Sequence, residues 1–257
     1  MKLTWIDLNS WLFHLAGLNL LVDPWLVDPM VFYGQPWLFT ARHQTPPAFT
    51  PATLPPIDCI LLAQGVDDHC HIPTLKQLDR SIPVVASPTA AKIVQKLGYQ
   101  TVISLRHWQT HAIADQVTIQ AIPGAEIQPG QVENGYLLTD LRHQQTVYYE
   151  PHSFPTQAAP RLGKVDVAIA PAIGQVLPLL GQVIMGPQQT LAMLQALQPQ
   201  FFLPTTRGEI ETSGILPNLL KTVGSIEELQ DKMHHAKLST QLVIPQPGIP
   251  LELAIAR

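Results

Sequence analysis

The chain has 257 residues, of which 46% are hydrophobic and 13% are charged, a balance that suits a packed core and excludes an intrinsically disordered protein. Its net charge is -4, with 15 basic against 19 acidic residues and no basic run, which argues against a nucleic-acid partner. Sandwich and α/β domains reach about 200 to 250 residues as single units, so we expect one domain over residues 1–257.

The two cysteines, Cys59 and Cys70, are too few for a disulfide framework, and Cys59 lies in an apolar run that is typical of a buried strand. A reducing compartment, the cytoplasm, fits them. The apolar N-terminal segment is interrupted by polar residues such as Asp7 and Asn9, and it has neither a basic start nor a small-residue cleavage site. It is therefore predicted to form strands, and not a signal peptide or a membrane span.

Three short apolar blocks, LTWI, SWLFHLA and LNLLVD, are predicted to be consecutive antiparallel strands. Residues 24–56 are rich in proline and aromatic residues, and loops of this length usually belong to functional sites. The run IDCILLA, residues 57–63, predicts a buried strand. Pro73 then suits the first turn of a helix that ends at Arg80.

From residue 83 onwards, the sequence predicts strands with helices interspersed among them. PVVAS predicts a strand, and SPTAAKIVQKLG predicts a helix capped by Ser87 and begun by Pro88. Further strands are predicted at TVISL, QVTIQAI, GYLLTDL, TVYYE, VDVAIAP and FFLPT, and the turn RHQQ makes a hairpin of residues 135–150. PQQTLAMLQALQP and SIEELQDKMHHA predict two more helices, the second with a capping box of Ser225 and Glu228.

The segment LLAQGVDDHCHIPTL, residues 61–75, places two aspartates, two histidines and a cysteine at the end of a predicted strand. Carboxylates, imidazoles and thiolates are the ligands that divalent metals bind, so the segment is a candidate metal site. In the alternative interpretation, Asp67 or Asp68 only caps the following helix. A small buried thiol is favoured for Cys70, and a polar residue at the helix start is favoured for His71.

The order of these segments resembles the metallo-β-lactamase fold hydrolases, and within them the lactonase-like metal-dependent hydrolases. The matching segments are LLVDP, the strand with its following Asp-His pair, GYLL, VYY and MGPQQTLAMLQALQPQFFLP. The resemblance covers nearly the whole chain. It implies an α/β protein with a four-layer αββα sandwich.

The metal motif of that family is His-x-His-x-Asp-His, and it is completed by a third-segment His, a bridging Asp and a final His that together hold two zinc or similar ions. Laid on this motif, Asp68 and His69 match, whereas Gln64 and Val66 stand at the first two histidines. Valine has no donor atom and an amide is a poor zinc ligand. The resemblance therefore implies that the first metal site is lost.

The later segments of the motif are also altered. Glu126 stands at the third-segment His, His152 near the bridging Asp, and Thr206 at the final His. The resemblance implies that Asp68, His69 and His152 hold one divalent ion, with zinc expected before manganese or iron. The alternative is that no ion binds.

Such an ion would activate water for hydrolysis of an ester, a lactone or a phosphoester, with Asp68 and Glu126 as the predicted catalytic residues. For Glu126, the roles of metal ligand, general base and loop cap stay equally open. Gln64, Thr206 and Arg207 are the predicted substrate-binding residues. A hydrogen bond to the loop is the alternative for Gln64, and a solvated surface position is the alternative for Arg207.

The resemblance places two apolar loops, residues 24–56 and 171–187, near the rim of the site. They are expected either to pack in the core or against a second copy in a homo-oligomer, or to shape a pocket for an apolar small molecule. A second class of function stays open, a non-catalytic binding protein whose metal site has decayed. The metal content of the purified protein separates the two classes.

Overall fold

The protein is described by a computed structural model that covers residues 1–128, 130–178 and 180–256. Within these ranges the strands are β1 (Lys2–Asp7), β2 (Ser10–Leu15), β3 (Leu18–Val22), β4 (Met30–Val31), β5 (Thr40–His43), β6 (Cys59–Leu62), β7 (Val84–Ala86), β8 (Val102–Ser104), β9 (Thr110–Ile113), β10 (Val117–Gln128), β11 (Gln131–Asp140), β12 (Gln145–Tyr149), β13 (Val167–Pro171), β14 (Gly174–Leu177), β15 (Gly181–Ile184), β16 (Phe201–Thr205), β17 (Ile210–Ser213), β18 (Lys221–Val223), β19 (Gln241–Leu242) and β20 (Pro250–Glu252). The helices are α1 (Ile72–Leu75), α2 (Pro88–Lys96), α3 (Ala159–Leu162), α4 (Pro187–Leu197), α5 (Leu216–Leu219) and α6 (Ile226–His235).

In the described part of the chain, the main body consists of two seven-stranded sheets. The first has the order β20-β1-β2-β3-β6-β7-β8. In it, β1 pairs antiparallel with β2 and β2 with β3, as predicted. The second has the order β19-β16-β13-β12-β11-β10-β9. In both sheets an antiparallel half continues into a parallel half, through β3 and β6 in the first and through β12 and β13 in the second.

The two sheets face each other across a shared core. The side chains in it come from both sheets, with Trp11, Phe13 and Leu20 from the first and Tyr136, Tyr149 and Ile169 from the second. Each large apolar side chain of this kind contributes about 1.5–3 kcal/mol when it is fully buried. This core holds the sheets together as a sandwich.

Helices cover the outer faces of the sandwich. On the first sheet, Leu62 and Val84 pack with Ala90 and Val94 of α2. On the second sheet, the outward-facing residues pack with α4 and α6, through Phe202, Met193, Leu194 and Leu229. The predicted four-layer αββα sandwich is therefore confirmed.

Local sequence signals fix the longer helices. The Ser87 side chain accepts a hydrogen bond from the backbone N–H of Ala90, and the Ser225 side chain accepts one from the backbone N–H of Glu228. Both predicted N-caps are present, but the described bonds of Ser225 include only this half of the predicted capping box. The helix predicted from Pro73 to Arg80 is wrong in length, because α1 ends at Leu75. The side chain of Asp79 accepts a hydrogen bond from the backbone N–H of Ser81, an alternative to helical bonding that aspartate favours in turns.

The two apolar loops contain short strands that the sequence did not predict. In residues 24–56, β4 pairs with β5, and β5 pairs with β17. In residues 171–187, β14 and β15 form a hairpin that is joined by β18. Among the described residues, the longest helix has 11 residues, and none is both long and apolar enough to cross a membrane.

Candidate metal centre

Three side chains with metal-binding atoms meet where strands of the two sheets end. Asp68 and His69 lie in the loop after β6 of the first sheet, and His152 lies just after β12 of the second sheet. The Nε2 atom of His69 is 3.2 Å from the Asp68 Oδ2 atom and 3.4 Å from the His152 Nε2 atom, and the latter is 3.6 Å from Asp68 Oδ2. We call these three residues the Asp68 cluster.

The spacing of the Asp68 cluster fits a single ion. A tetrahedral zinc site with bonds of about 2.0–2.1 Å places its ligand atoms about 3.3 Å apart. The observed separations of 3.2, 3.4 and 3.6 Å bracket this value. Two imidazoles and one carboxylate are also an accepted donor set for zinc, manganese or iron. The residues that the sequence predicted as metal ligands are thus brought together in a suitable arrangement.

Asp23 orients His69 within the cluster. The Nδ1–H group of His69 donates to the Asp23 Oδ2 atom at 2.7 Å, and Asp23 also accepts hydrogen bonds from the Ala63 backbone and the Tyr149 hydroxyl, each at 2.7 Å. With its proton on Nδ1, a neutral His69 presents the lone pair of Nε2 to the cluster. A carboxylate that supports a ligating histidine in this way is the usual outer partner of a metal site.

Asp23 was not among the predicted site residues, although its position after a strand is a sequence signal for the site. Asp23 directly follows β3, and β3 is the parallel neighbour of β6 in the first sheet. Polar residues after adjacent parallel strands emerge at the same edge of a sheet. That rule would have placed Asp23 beside Asp68 and His69.

Gln64 supports His152 in a similar position. Its amide lies 2.8 Å from the His152 Nδ1 atom and the side chain is completely buried, whereas its contact with a substrate stays a prediction. If Nε2 of His152 holds an ion, its Nδ1 carries the proton and needs an acceptor. The carbonyl oxygen of the Gln64 amide provides it after a half-turn of the amide, which exchanges oxygen and nitrogen without moving the side chain.

Replacing Gln64 by leucine should lower the zinc affinity of the protein by about 10- to 100-fold, because the proton on Nδ1 of His152 loses its acceptor. Gln64→Glu keeps an acceptor at this position and should retain most of the affinity. Competition with a coloured zinc chelator measures both values. Equal affinity in Gln64→Leu and the unchanged protein would show that His152 needs no support from this residue.

Thr206 contacts Asn9, which in turn contacts the Asp68 cluster. Asn9 was not among the predicted site residues. The Thr206 Oγ1 atom lies 2.7 Å from the Asn9 amide and 2.7 Å from the carbonyl oxygen of Pro151. The other end of the Asn9 amide lies 3.4 Å from both the Asp68 Oδ2 atom and the His69 Nε2 atom. No sequence signal marks Asn9, because it lies in the turn between two ordinary strands.

The other two predicted site residues make their described contacts elsewhere. The Glu126 side chain is exposed, and it accepts a hydrogen bond from the backbone N–H of Gly130 at 2.7 Å within its own hairpin. The Arg207 guanidinium stacks over the Trp5 ring and donates to the carbonyl oxygen of Pro245 at 2.6 Å. Neither side chain has a hydrogen bond to the Asp68 cluster among the described residues.

The charge of Asp68 and that of His69 stabilise each other. Burial by itself raises the pKa of Asp68, but the neighbouring imidazoles of His69 and His152 outweigh it and hold that pKa below the usual range of aspartate. Burial lowers the pKa of His69, but Asp68 and Asp23 outweigh it and raise that pKa to about 10. The cluster therefore attracts positive charge, which a divalent ion also supplies.

The remaining potential ligands of the motif make contacts outside the cluster: the partly buried Asp67 accepts a hydrogen bond from the backbone N–H of Tyr33, whereas Cys70 and His71 are buried. Burial raises the pKa of the Cys70 thiol to about 12, so it stays protonated at neutral pH. His71 is also buried, and its Nδ1 atom pairs with the Thr74 hydroxyl at 2.9 Å. Burial lowers the pKa of His71 to about 4, which keeps it neutral.

Comparison with solved structures supports the same fold. An isothiocyanate hydrolase from Delia radicum gut bacteria is 17% identical, with a TM-score of 0.76 and full coverage of both chains. A possible metal-dependent hydrolase from Veillonella parvula is 14% identical, with a TM-score of 0.74 over 98% of this chain and 99% of that one. The metallo-β-lactamase fold protein YhfI from Bacillus subtilis is 16% identical, with a TM-score of 0.65 over 98% and 99%.

Sequence comparison identifies the family. No curated protein sequence matches the chain. The family model described as "Beta-lactamase superfamily domain" matches residues 2–206, which include the whole Asp68 cluster. Since this match covers most of the 257 residues and the fold agrees with it, the chain belongs to the metallo-β-lactamase superfamily.

Proposed function

We propose that the protein is a metal-dependent hydrolase that holds one divalent ion in the Asp68 cluster and acts on a small molecule. The observation that carries this proposal is the convergence of two imidazole nitrogens and one carboxylate oxygen at separations of 3.2–3.6 Å. The names of two structural neighbours, a hydrolase of isothiocyanates and a metal-dependent hydrolase, support the reaction class. The proposed substrates are esters, lactones and phosphoesters.

Asp68, His69 and His152 would hold the divalent ion, which would supply a water-derived nucleophile at neutral pH by lowering the pKa of water to about 7. The protein contributes a fixed donor set, because Asp23 and Gln64 orient the two imidazoles. The side chain of Asp68 is 15% exposed, whereas that of His69 is completely buried. Asp68 therefore lies on the accessible side of the cluster, where its ionised carboxylate accepts a hydrogen bond from water or substrate.

Glu126 would act as a general base only if its side chain left Gly130 and turned to the substrate. The hydrolytic activity of Glu126→Gln tests this role directly.

The buried thiols of Cys59 and Cys70 suit a cytoplasmic protein. Exposed aromatic residues Tyr33 and Trp37 in the first apolar loop suit an apolar substrate or a second copy of the chain.

A non-catalytic binding protein is the second candidate. The observation in its favour is the loss of donors at Gln64 and Val66, where the family motif has histidines. In that case the Asp68 cluster would be a structural remnant, and purified protein would hold no stoichiometric ion.

Metal content after dialysis decides between these candidates. We expect about one zinc, manganese or ferrous ion per chain after reconstitution, together with hydrolysis of at least one member of a panel of esters, lactones and phosphoesters. Elemental analysis gives the stoichiometry. Two tightly held ions would contradict a single-ion site, and the absence of any retained ion would favour the binding protein.

A further inference from the structure

The Asn9 side chain approaches the Asp68 cluster from the turn between β1 and β2. Its Nδ2 atom lies 3.4 Å from the Asp68 Oδ2 atom and 3.4 Å from the His69 Nε2 atom, and a half-turn of the amide puts the Oδ1 atom in that place. We propose that the side-chain oxygen of Asn9 is a fourth ligand of the metal ion and that Thr206 orients it. The inference rests on the proposed function of the cluster as a metal centre.

The hydroxyl of Thr206 decides which end of the Asn9 amide faces the cluster. This hydroxyl has one proton, and both the Asn9 amide and the carbonyl oxygen of Pro151 lie 2.7 Å from its oxygen. A carbonyl oxygen only accepts, so the proton goes to Pro151. The Asn9 atom beside Thr206 is then best a donor, the amide nitrogen, which places the amide oxygen beside Asp68 and His69.

In this orientation four acceptor atoms converge. The Asp68 carboxylate and the Asn9 oxygen only accept, and a neutral His69 with its proton on Nδ1 also presents a lone pair. His152 does the same when Gln64 accepts its Nδ1 proton. Four such lone pairs repel one another unless a positive charge lies between them, and a shared divalent cation supplies that charge when it displaces the proton of His69.

Five of the six distances among the four atoms suit a tetrahedral site. They measure 3.2, 3.4, 3.4, 3.4 and 3.6 Å. A regular tetrahedron with such edges has its centre about 2.1 Å from each corner, which is a normal distance from zinc to nitrogen or oxygen. These five distances are therefore those expected for Asn9 as a fourth ligand beside Asp68, His69 and His152.

The backbone beside Asn9 is held firmly, so its amide needs little ordering when an ion binds. The carbonyl oxygen of Leu8 accepts hydrogen bonds from the backbone N–H of Thr206 at 3.0 Å and the Thr205 hydroxyl at 2.8 Å. It also accepts one from the Trp5 indole at 3.1 Å. The turn before Asn9 is thus fixed to the end of β16, and preorganised ligands bind ions more tightly.

The arrangement also explains the threonine at the position of the family's final histidine. A threonine side chain is too short to take the place of an imidazole as a ligand, and Thr206 instead holds Asn9 at the cluster. The donor set would then have two nitrogens and two oxygens. Zinc in such a set can expand to five ligands, which leaves room for water or substrate.

The test compares zinc affinity in variants by competition with a coloured chelator. Asn9→Leu removes the ligand atom and keeps the branching of the side chain at Cγ, and we expect at least a tenfold loss of affinity. Asn9→Asp keeps an oxygen in the same place and should bind zinc at least as tightly as the unchanged protein. Thr206→Val should lose affinity by a smaller factor, because the Asn9 oxygen is still present but no longer oriented. Asn19→Leu, in β3 and away from the cluster, is the matched control and should have no effect.

Two further measurements make the outcome decisive. Circular dichroism checks that each variant folds, and Asn9→Ala replaces Asn9→Leu if the latter does not. In the cobalt-substituted protein, loss of the Asn9 ligand should change the visible d–d absorption, which reports coordination number and needs no activity. Unchanged affinity and spectrum in Asn9→Leu would overturn this inference and leave the proposed function intact. Absence of zinc binding in the unchanged protein would overturn both.

Discussion

Asp68→Ala is expected to lower zinc affinity at least about a hundredfold, or about 2.8 kcal/mol, and to abolish hydrolysis with it. Asp68 supplies the only carboxylate of the cluster and faces both imidazoles, at 3.2 Å and 3.6 Å. Without its negative charge the ion would meet neutral donors only. Elemental analysis after dialysis and chelator competition measure the loss.

Two control variants sharpen this experiment. Asp68→Asn keeps the shape of the side chain and an oxygen, so it should fall between Asp68→Ala and the unchanged protein. Asp79→Ala removes an exposed carboxylate whose only described bond is a local one to Ser81, and it should leave the metal content unchanged. Full metal content in Asp68→Ala would show that the ion binds at another site.

Glu150→Gln is expected to stabilise the metal-free protein at pH 8 by several kcal/mol. The carboxyl group of Glu150 is completely buried, and burial raises its pKa to about 8. Its Oε1 atom accepts hydrogen bonds from the backbone of His152 and Ser153, but Oε2 has no partner among the described residues. A Cβ atom at Gly135 would meet Oε2 at 2.6 Å, so the glycine leaves the room that the carboxyl group of Glu150 occupies.

The sign of the pH effect follows from the direction of the shift. Because the pKa is higher in the folded state, the folded protein binds the proton more tightly, and stability falls as the pH rises from about 4.5 to about 8. A shift of this size corresponds to roughly 4 to 5 kcal/mol over the whole window. Glu150→Gln cannot ionise and should lose this part of the pH dependence.

Urea unfolding at pH 5.5 and pH 8, with a chelator present, measures the difference. Glu211→Gln, at an exposed position in β17, is the matched control and should follow the unchanged protein at both values. If Glu150→Gln and the unchanged protein lose stability in parallel between pH 5.5 and pH 8, the buried carboxyl group is already ionised in the folded state.

The fold was largely predictable because its signals are local or follow a fixed order. Ser87 and Pro88 mark the start of α2 within the sequence itself, and the alternation of short apolar runs marks most strands of both sheets. Asp68 and His69 stand together in one short motif, so their proximity was certain from the sequence. His152 followed from its place after a strand in the family order.

The outer parts of the candidate site were not predictable in the same way. Asn9 is separated from Asp68 by 59 positions, and Gln64 from His152 by 88, and both contacts depend on how closely the strand ends approach one another. Nothing in the local pattern of an asparagine in a turn or a glutamine after a strand encodes such a distance. The sequence supplied the donor atoms, whereas the packing of the two sheets supplied their partners.

If the Asp68 cluster holds the proposed ion, its position between the two sheets would tie the lifetime of the protein to its metal supply. Asp68 and His69 follow a strand of one sheet and His152 follows a strand of the other, so an ion bound by all three would link the two sheets. A ligand present at about a hundred times its dissociation constant adds about 2.7 kcal/mol to the stability of the folded state. In a cell that runs short of the ion, unfolding and proteolysis would therefore remove the empty protein first, and the amount of this protein would follow the amount of metal without a dedicated regulator.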